Sequence, residues 1–202
     1  MSPRRRAADV AADRDLTLRH ALAVASEDGL EGLTIGRLAD ELTMSKSGLF
    51  GRFGSKEDLQ LAVVAAAADR FRREAWEPMA GEPAGLARLR AAAAAWLSYL
   101  EREVFPGGCV LTAAAHEFDG RPGPVRDAVR AAWAAWLDQL ARDAAAARRA
   151  GELPEGAAEP AQLAFELQGV MLAANWSYQL WGDATAFARA RAAIDRLLGP
   201  SG

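Results

Sequence analysis

Two lysines, each at the predicted start of a short helix, are the best-placed residues in this chain for binding an anion. The 202-residue sequence has two lysines in total, Lys46 and Lys56, and both lie in the stretch TIGRLADELTMSKSGLFGRFGSKEDL. Backbone N–H groups at a helix N-terminus already favour anions, and a lysine there adds to the attraction. We therefore predict that both lysines contact phosphate; the alternative is a pair of solvated surface charges.

The helices around these lysines are predicted from their caps. Thr34 is a natural N-cap for a helix over residues 35–42, and Ser45 caps a short helix that follows a three-residue turn. Ser55 begins a longer helix over about residues 56–76, which leaves the first domain as a connector. Helix, turn, helix is the geometry that places a second helix in the major groove. The first quarter of the chain is therefore predicted to bind duplex DNA.

Composition indicates an all-α protein. Apolar residues make up 51% of the chain, alanine runs such as residues 91–95 favour helices, and alternating runs of strand length are absent from the sequence. The formal net charge of −3 excludes a broadly basic nucleic-acid coat, so DNA contacts must come from a local face. We predict about nine helices: a three-helix helix-turn-helix domain with an N-terminal arm over residues 1–58, then a ligand-binding and dimerisation domain over residues 59–202.

Cysteine usage and hydropathy predict a cytoplasmic protein with no membrane partner. The single cysteine, Cys109, excludes an intramolecular disulfide framework and fits a reducing compartment. A redox role for Cys109 would need a resolving partner, so a small core residue is the favoured interpretation. The N-terminus lacks the apolar segment of a secretion signal, and residues 163–181 are too polar to span a membrane.

The first quarter of the chain resembles a known family. Residues 14–60, with the motifs EDGLEGLT, IGRLADEL and MSKSGLFGRFGSKEDL, are similar to the DNA-binding domain of the bacterial TetR (TetR/AcrR) transcriptional regulators. Residues 107–128, GGC…EFDGRPGPVRDA, resemble one branch of that family's effector domain. The resemblance implies that the DNA-binding residues are Thr34, Ser45, Lys46, Ser47, Gly48, Phe50, Arg52 and Lys56.

Departures from the family pattern concern the turn and the recognition helix. Phe50 replaces the usual tyrosine, whose hydroxyl often bonds a phosphate, and Thr43 stands where glycine is frequent, so we expect strain in the turn. Arg52 belongs to an unusual triplet and either replaces a contact or faces solvent. The arginines at positions 4–6 are either a minor-groove arm or a solvated tail.

The helix predicted over residues 160–181 is apolar on two faces and must be covered twice. The first stripe contains Leu163, Leu167, Val170, Met171, Ala174, Tyr178 and Trp181; the second contains Phe165, Leu172, Trp176 and Leu180. We predict a homodimer through a four-helix bundle of this helix and residues 184–198. The predicted interface residues are Leu167, Val170, Ala174, Tyr178, Phe187 and Ile194.

Aromatic residues suggest a cavity in the second domain. Five of the six tryptophans follow residue 90, more than an ordinary core of this size requires. Taken singly, such residues are more often core than pocket, but together they favour a mostly hydrophobic effector of aromatic or polycyclic type. The predicted lining residues are Trp96, Tyr99, Leu100, Cys109, His116, Phe118, Trp133, Trp136, Met171, Asn175 and Trp176.

The predicted function is a dimeric repressor that an apolar small molecule releases from its operator. The alternatives are a constitutive architectural DNA-binding protein, and a small-molecule-binding protein or enzyme with an incidental helix-turn-helix. An enzyme is disfavoured because the sequence shows no nucleophile–base pair, no phosphate-binding glycine loop and no metal-ligand cluster. His116 and Glu117 do not complete HExxH, since residue 120 is glycine. We expect no cofactor.

Overall fold

The computed structural model describes residues 3–200, with side chains from residue 13 onward, and this range is helical without strands. The elements in chain order are α1 (Pro3–Asp28), α2 (Ile35–Glu41), α3 (Lys46–Phe53), α4 (Lys56–Phe71), a π-helix (Arg72–Trp76), α5 (Glu77–Ala80), α6 (Leu86–Glu101), α7 (Val110–Phe118), α8 (Pro124–Arg149), α9 (Pro160–Trp181) and α10 (Ala186–Leu198). The all-α class predicted from composition is confirmed.

Two helices differ from their predicted bounds. The first helix begins at Pro3 and so includes residues expected to form the N-terminal arm, and a proline suits the first turn because its missing N–H has no helical partner there. The last five residues of the predicted connector form the π-helix, which is followed directly by α5, whose Pro78 also lies in a first turn. The side chains of Arg4, Arg5 and Arg6, for which a minor-groove arm was one alternative, lie outside the described residues.

The chain forms two compact units that are discontinuous in sequence. The first comprises Met1–Ala68 and Phe105–Val129, and the second comprises Asp69–Val104 and Arg130–Gly202. Helices α4 and α8 each contribute residues to both units, and α7 belongs with the N-terminal helices. The boundary expected at residue 58 stays a prediction.

The first unit is held together by contacts between α7 and the end of α1. The Glu117 carboxylate accepts hydrogen bonds from the backbone N–H groups of Leu30 at 2.7 Å and Glu31 at 2.8 Å. Gly107 lies directly on α1, because a Cβ there would be 1.9 Å from the Ser26 carbonyl oxygen. Any side chain at position 107 would therefore push this loop away from α1. These contacts were not predicted from the sequence.

The core of the second unit is built around Phe71. Its ring lies 5.0–6.1 Å from the ring centroids of four other aromatic residues. These are Trp96, Tyr99, Trp133 and Trp136. Most of these pairs meet edge to face, and such pairs stabilise by about 0.5–1.5 kcal/mol each beyond the area that they bury. We call these five residues, together with Trp76, the aromatic cluster.

Helices α9 and α10 pack against each other along one apolar stripe of each helix. On α9 the buried residues include Leu163, Leu167 and Met171, and on α10 they include Phe187 and Ile194. The period of these positions matches a helix with one covered face. Within the described residues, every helix is too short or too polar to cross a membrane.

Candidate functional site

The helix-turn-helix is positioned by two side-chain caps and a strained turn. The Thr34 hydroxyl accepts from the Arg37 N–H at 3.0 Å, and the Ser45 hydroxyl accepts from the Gly48 N–H at 3.1 Å. Thr43 adopts a φ of +54°, the left-handed conformation that costs a β-branched residue roughly 1–2 kcal/mol. The expected caps and the expected strain in this turn are therefore both confirmed.

Helix α3 has one buried face and one exposed face. Leu49 and Phe53 are buried against the rest of the unit. Ser47, Phe50 and Gly51 are exposed and share a face, because they lie three and four residues apart. The ring of Phe50 is 59% exposed. This outward face therefore presents one aromatic ring and one hydroxyl, and at Gly51 only backbone.

The two lysines occupy different electrostatic environments. The Lys46 ammonium lies 3.7 Å from the Asp40 carboxylate, and both side chains are well exposed. The Lys56 ammonium instead donates to the backbone carbonyl oxygen and to the carboxylate of Glu31, both at 2.9 Å. The bond from Lys56, followed by one from Gln60, holds the pKa of Glu31 below its usual value. Lys46 is thus the more available cation; the phosphate contacts of both stay predictions.

Arg52 neither faces solvent nor points outward with Phe50. Its Nη2 donates to the Asp13 carboxylate at 2.8 Å, and its side chain is only 20% exposed. Its Nη1 is buried and has no hydrogen-bond partner among the described residues. The structure therefore corrects the solvent-facing alternative for Arg52, because position 52 lies on the flank of α3 that turns toward α1; a DNA contact by Arg52 stays a prediction.

The structure brings together part of the predicted effector lining. Trp96, Tyr99, Trp133 and Trp136 meet in the aromatic cluster. Leu100, Met171 and Asn175 are also buried in the second unit. The indole N–H of Trp136 donates to the Gln168 side chain at 3.0 Å. The indole nitrogen of Trp96 is buried without a hydrogen-bond partner among the described residues.

Other predicted lining residues lie elsewhere. Cys109, His116 and Phe118 belong to the first unit, where His116 is exposed. Trp176 is 51% exposed, so its inward placement is corrected: it lies off the stripe of α9 that packs on α10. The sequence analysis also missed Phe71 and Trp76, whose five-residue spacing matches the π-helix between them. That spacing was the available signal.

Part of the predicted dimer interface lies in the core of the second unit. Leu167, Phe187 and Ile194 are buried within the unit itself, which contradicts their placement on an outward face. Val170 and Ala174 line the open groove between α9 and α10, so their place in an interface stays a prediction. Tyr178 is half-buried; its hydroxyl donates to Glu103 at 2.5 Å, and its ring packs on Phe187 with 5.0 Å between ring centroids.

The second α9 stripe is the one that stays uncovered. Its exposed large residues are Phe165, Trp176 and Leu180, followed by Trp181 at the helix end. Beside this stripe, α9 and α10 border an open groove of about 300 Å³. Small residues such as Ala173 and Ala193 form its floor, and two arginines form part of its wall. The surface combines large apolar side chains with a recess.

Glu117, considered with His116 as part of a metal site, has other partners. Glu117 caps the turn after α1 rather than facing His116 across a site. In the part of the chain that the structure describes, no group of three His, Cys, Asp or Glu residues is arranged to hold a metal ion.

Comparison with known families identifies the family to which this helix arrangement belongs. Residues 18–63 match the family described as bacterial regulatory proteins, tetR family. Residues 85–194, more than half of the chain, match the tetracyclin repressor-like C-terminal domain. The chain belongs to the TetR family. The resemblance first seen in residues 14–60 is confirmed, and this TetR-family chain has the fold of a DNA-binding transcriptional regulator.

Solved structures agree with this fold along nearly the whole chain. A TetR transcriptional regulator from Chloroflexus aurantiacus J-10-FL is 23% identical with a TM-score of 0.84, covering 95% of this chain and 97% of its own. A TetR-family regulator from Agrobacterium tumefaciens is 20% identical with a TM-score of 0.83, covering 94% and 100%. AibR, in complex with isovaleryl coenzyme A and operator DNA, is 22% identical with a TM-score of 0.75, covering 93% and 98%. No curated protein sequence matches the chain.

Proposed function

We propose that this chain is a dimeric transcriptional repressor that releases its operator when an apolar small molecule binds the second unit. The observation that carries the proposal is α3, a capped second helix whose outward residues Ser47, Phe50 and Gly51 are exposed. A recognition helix enters the major groove with such a face. Lys46, at the start of α3, supplies an exposed cation beside that face. The cytoplasm is the compartment where these partners meet.

The homodimer is supported by the uncovered stripe of α9. Phe165, Trp176 and Leu180 expose large apolar surface, and contiguous exposed surface of this kind marks an interaction site. A second copy presents the same stripe and the same groove, so a two-fold axis along α9 and α10 buries both. The bundle predicted from the sequence is kept. Val170 and Ala174 of the predicted interface line the groove, and the exposed stripe of α9 is added to them.

The effector site is proposed at the aromatic cluster. The π-helix interrupts the regular α-helical hydrogen bonding between Phe71 and Trp76, and single π-helical turns within α-helices are frequent at functional sites. The unpartnered indole N–H of Trp96 offers a donor beside these rings. Helix α4 runs without a break from Lys56 to Phe71, so a shift at the cluster is continuous with the DNA-binding half of that helix. A ligand acts by favouring a conformation that does not fit the operator.

A relative supports the pairing of operator and ligand in this fold. AibR was solved with isovaleryl coenzyme A and operator DNA. Acyl thioesters with an apolar chain therefore join aromatic and polycyclic molecules among the effectors to be tested. The rival interpretations are a constitutive architectural DNA-binding protein and a ligand-binding protein or enzyme that does not bind DNA.

A gel-shift experiment separates these interpretations. The full-length chain is incubated with the DNA upstream of its own coding sequence, and the measurement is repeated with fractionated apolar metabolite extract. A repressor gives a shift that a fraction releases, an architectural protein gives a shift without release, and an enzyme gives no shift. Trp96→Phe keeps the ring but removes the indole donor, and Trp181→Phe on the exposed end of α9 is its matched control. Release that is weakened in Trp96→Phe alone assigns the response to the aromatic cluster.

A further inference from the structure

Gly51 is the sixth of the eight residues of α3, and the fold does not require a glycine there. A Cβ built at this position meets no atom within 4 Å, and Gly51 is not among the residues with positive φ. Alanine is the better helix former at such a position. The absence of a side chain here therefore has no explanation within the described fold, and it points to close approach by a partner.

Phe50 stands beside this gap. Its ring is 59% exposed and contributes little to the core, which Leu49 and Phe53 form on the opposite side of α3. It carries neither charge nor hydroxyl, so it cannot hold a phosphate. On the same face, Ser47 offers the only side-chain hydroxyl, and Gly51 offers backbone. The face thus has one large apolar group surrounded by small residues.

We propose that Phe50 reads a thymine in each operator half-site by packing on the thymine C5-methyl group, and that Gly51 lets the major-groove edge approach closely enough for this contact. The inference rests on the proposed DNA-binding function. Among the four bases, only thymine presents a methyl group in the major groove, and apolar side chains including phenylalanine contact it. A face with a single hydroxyl has few hydrogen bonds for base discrimination, so the methyl contact carries much of it.

The experiment removes the methyl group alone. The full-length protein first selects its site from random duplex DNA, and each thymine of the selected site is then replaced by deoxyuridine. Burying one methyl group corresponds to about a fourfold change in affinity. We expect one symmetric pair of positions at which deoxyuridine weakens binding by about fourfold per half-site. In Phe50→Ala the same replacement has no effect, whereas Phe50→Tyr retains it because the ring remains.

A second variant tests the role of Gly51. Gly51→Ala is expected to raise the melting temperature, because alanine is the better helix former. It is also expected to weaken operator binding by about tenfold, because the added methyl group clashes with the DNA; that loss corresponds to about 1.4 kcal/mol. The matched control is Ala134→Gly on the exposed side of α8, which lowers the melting temperature and leaves DNA binding unchanged.

Three results would overturn the inference. Deoxyuridine replacement has no effect at any position, or its penalty is the same in Phe50→Ala, which would place the ring on a sugar instead. Gly51→Ala binds as tightly as the wild type, which removes the argument for close approach. In each case DNA binding and its release by a ligand persist, so the proposed function stands. Absence of any DNA binding removes both.

Discussion

The outward faces of α3 and α9 show two ways in which a helix is left uncovered. On α3, a single ring at Phe50 stands next to the bare backbone of Gly51. On α9, Phe165, Trp176 and Leu180 form a row of large apolar groups. An exposed row of large apolar side chains is buried by packing against a second apolar protein surface. A helix face without a side chain at one position instead leaves room for a rigid partner such as DNA to approach the backbone. The two exposed faces therefore indicate different partners. Substitutions on α9 should change dimerisation, whereas substitutions on α3 should change DNA binding.

The largest expected effect is on the α9 face. Trp176→Glu places a charge where two copies meet, and the dimer carries the change twice, so its dissociation constant should rise by about a thousandfold. Light scattering at micromolar concentration should then give the chain mass of 21.5 kDa instead of twice that value. Ala134→Glu on the exposed side of α8 is the control and should stay dimeric. A dimeric Trp176→Glu protein would rule out this interface.

The buried stripe of the same helix should respond in stability instead. Leu167 is fully buried within its own unit, so Leu167→Ala should lower the free energy of unfolding by about 2–5 kcal/mol. Urea denaturation followed by circular dichroism measures this loss at a fixed protein concentration. Trp176→Ala serves as the comparison, and its effect should depend on protein concentration because the residue acts between copies. Equal, concentration-independent losses for both variants would contradict the assignment of the stripes.

The α3 face should respond in the salt dependence of DNA binding. Lys46→Ala and Lys56→Ala should each lower the slope of log affinity against log salt by about one, since each removes one phosphate contact. Lys56→Ala also leaves the Glu31 carboxylate without its nearest cation, so its affinity should fall further than that of Lys46→Ala. Arg149→Ala in the exposed last turn of α8 is the control. An unchanged slope in the double variant would remove both lysines from the interface.

A substitution in the turn between α2 and α3 should have a smaller effect, confined to the free energy of unfolding. Thr43→Gly relieves the left-handed conformation and should raise the free energy of unfolding by up to about 1 kcal/mol. Operator affinity should stay within about twofold, because the backbone already has the required shape. Chemical denaturation and a binding titration on the same preparation check both statements. A destabilised Thr43→Gly protein would show that the threonine side chain makes a contact of its own.

The smallest expected effect is a pH dependence near the α1–α4 junction. The pKa of Glu31 is lowered in the folded state, first by its hydrogen bond from Lys56, so it binds protons more readily when unfolded. The resulting stability is present above the unfolded pKa and is lost as pH falls through the lower folded pKa. Stability curves of wild type and Glu31→Gln should therefore converge in acid and separate toward neutral pH. Parallel curves throughout the acid range would contradict this.

Local features of the first unit followed from the sequence. Thr34 and Ser45 cap helices because their hydroxyls satisfy N–H groups a few residues away, and Thr43 is strained because the turn is short. Each depends on neighbours within about one helical turn. The position of Arg52 did not follow, since its partner Asp13 is distant in the sequence.

Features of the second unit that depend on packing were only half predictable. The sequence shows that α9 has two apolar stripes, but it does not show which side chains are buried within the unit; Leu167, predicted at the interface, is buried, whereas Trp176, predicted in the cavity, is exposed. The aromatic cluster was anticipated in Trp96, Trp133 and Trp136, whereas its central ring, Phe71, was missed. A regular helix was assumed through residues 72–76, and in a regular helix Phe71 and Trp76, five residues apart, do not lie on the same face.

Cys109 gives this protein a built-in reporter of its own opening. It is the single thiol in the chain, it is 1% exposed, and it lies at the start of α7 in the first unit. A thiol reagent can modify it only in molecules in which that part of the unit has opened, so the labelling rate counts rare open states under native conditions. Operator DNA that holds the first unit closed should slow the labelling. The coupling between DNA and the local stability of α7 is thus measurable as a rate, without any introduced label.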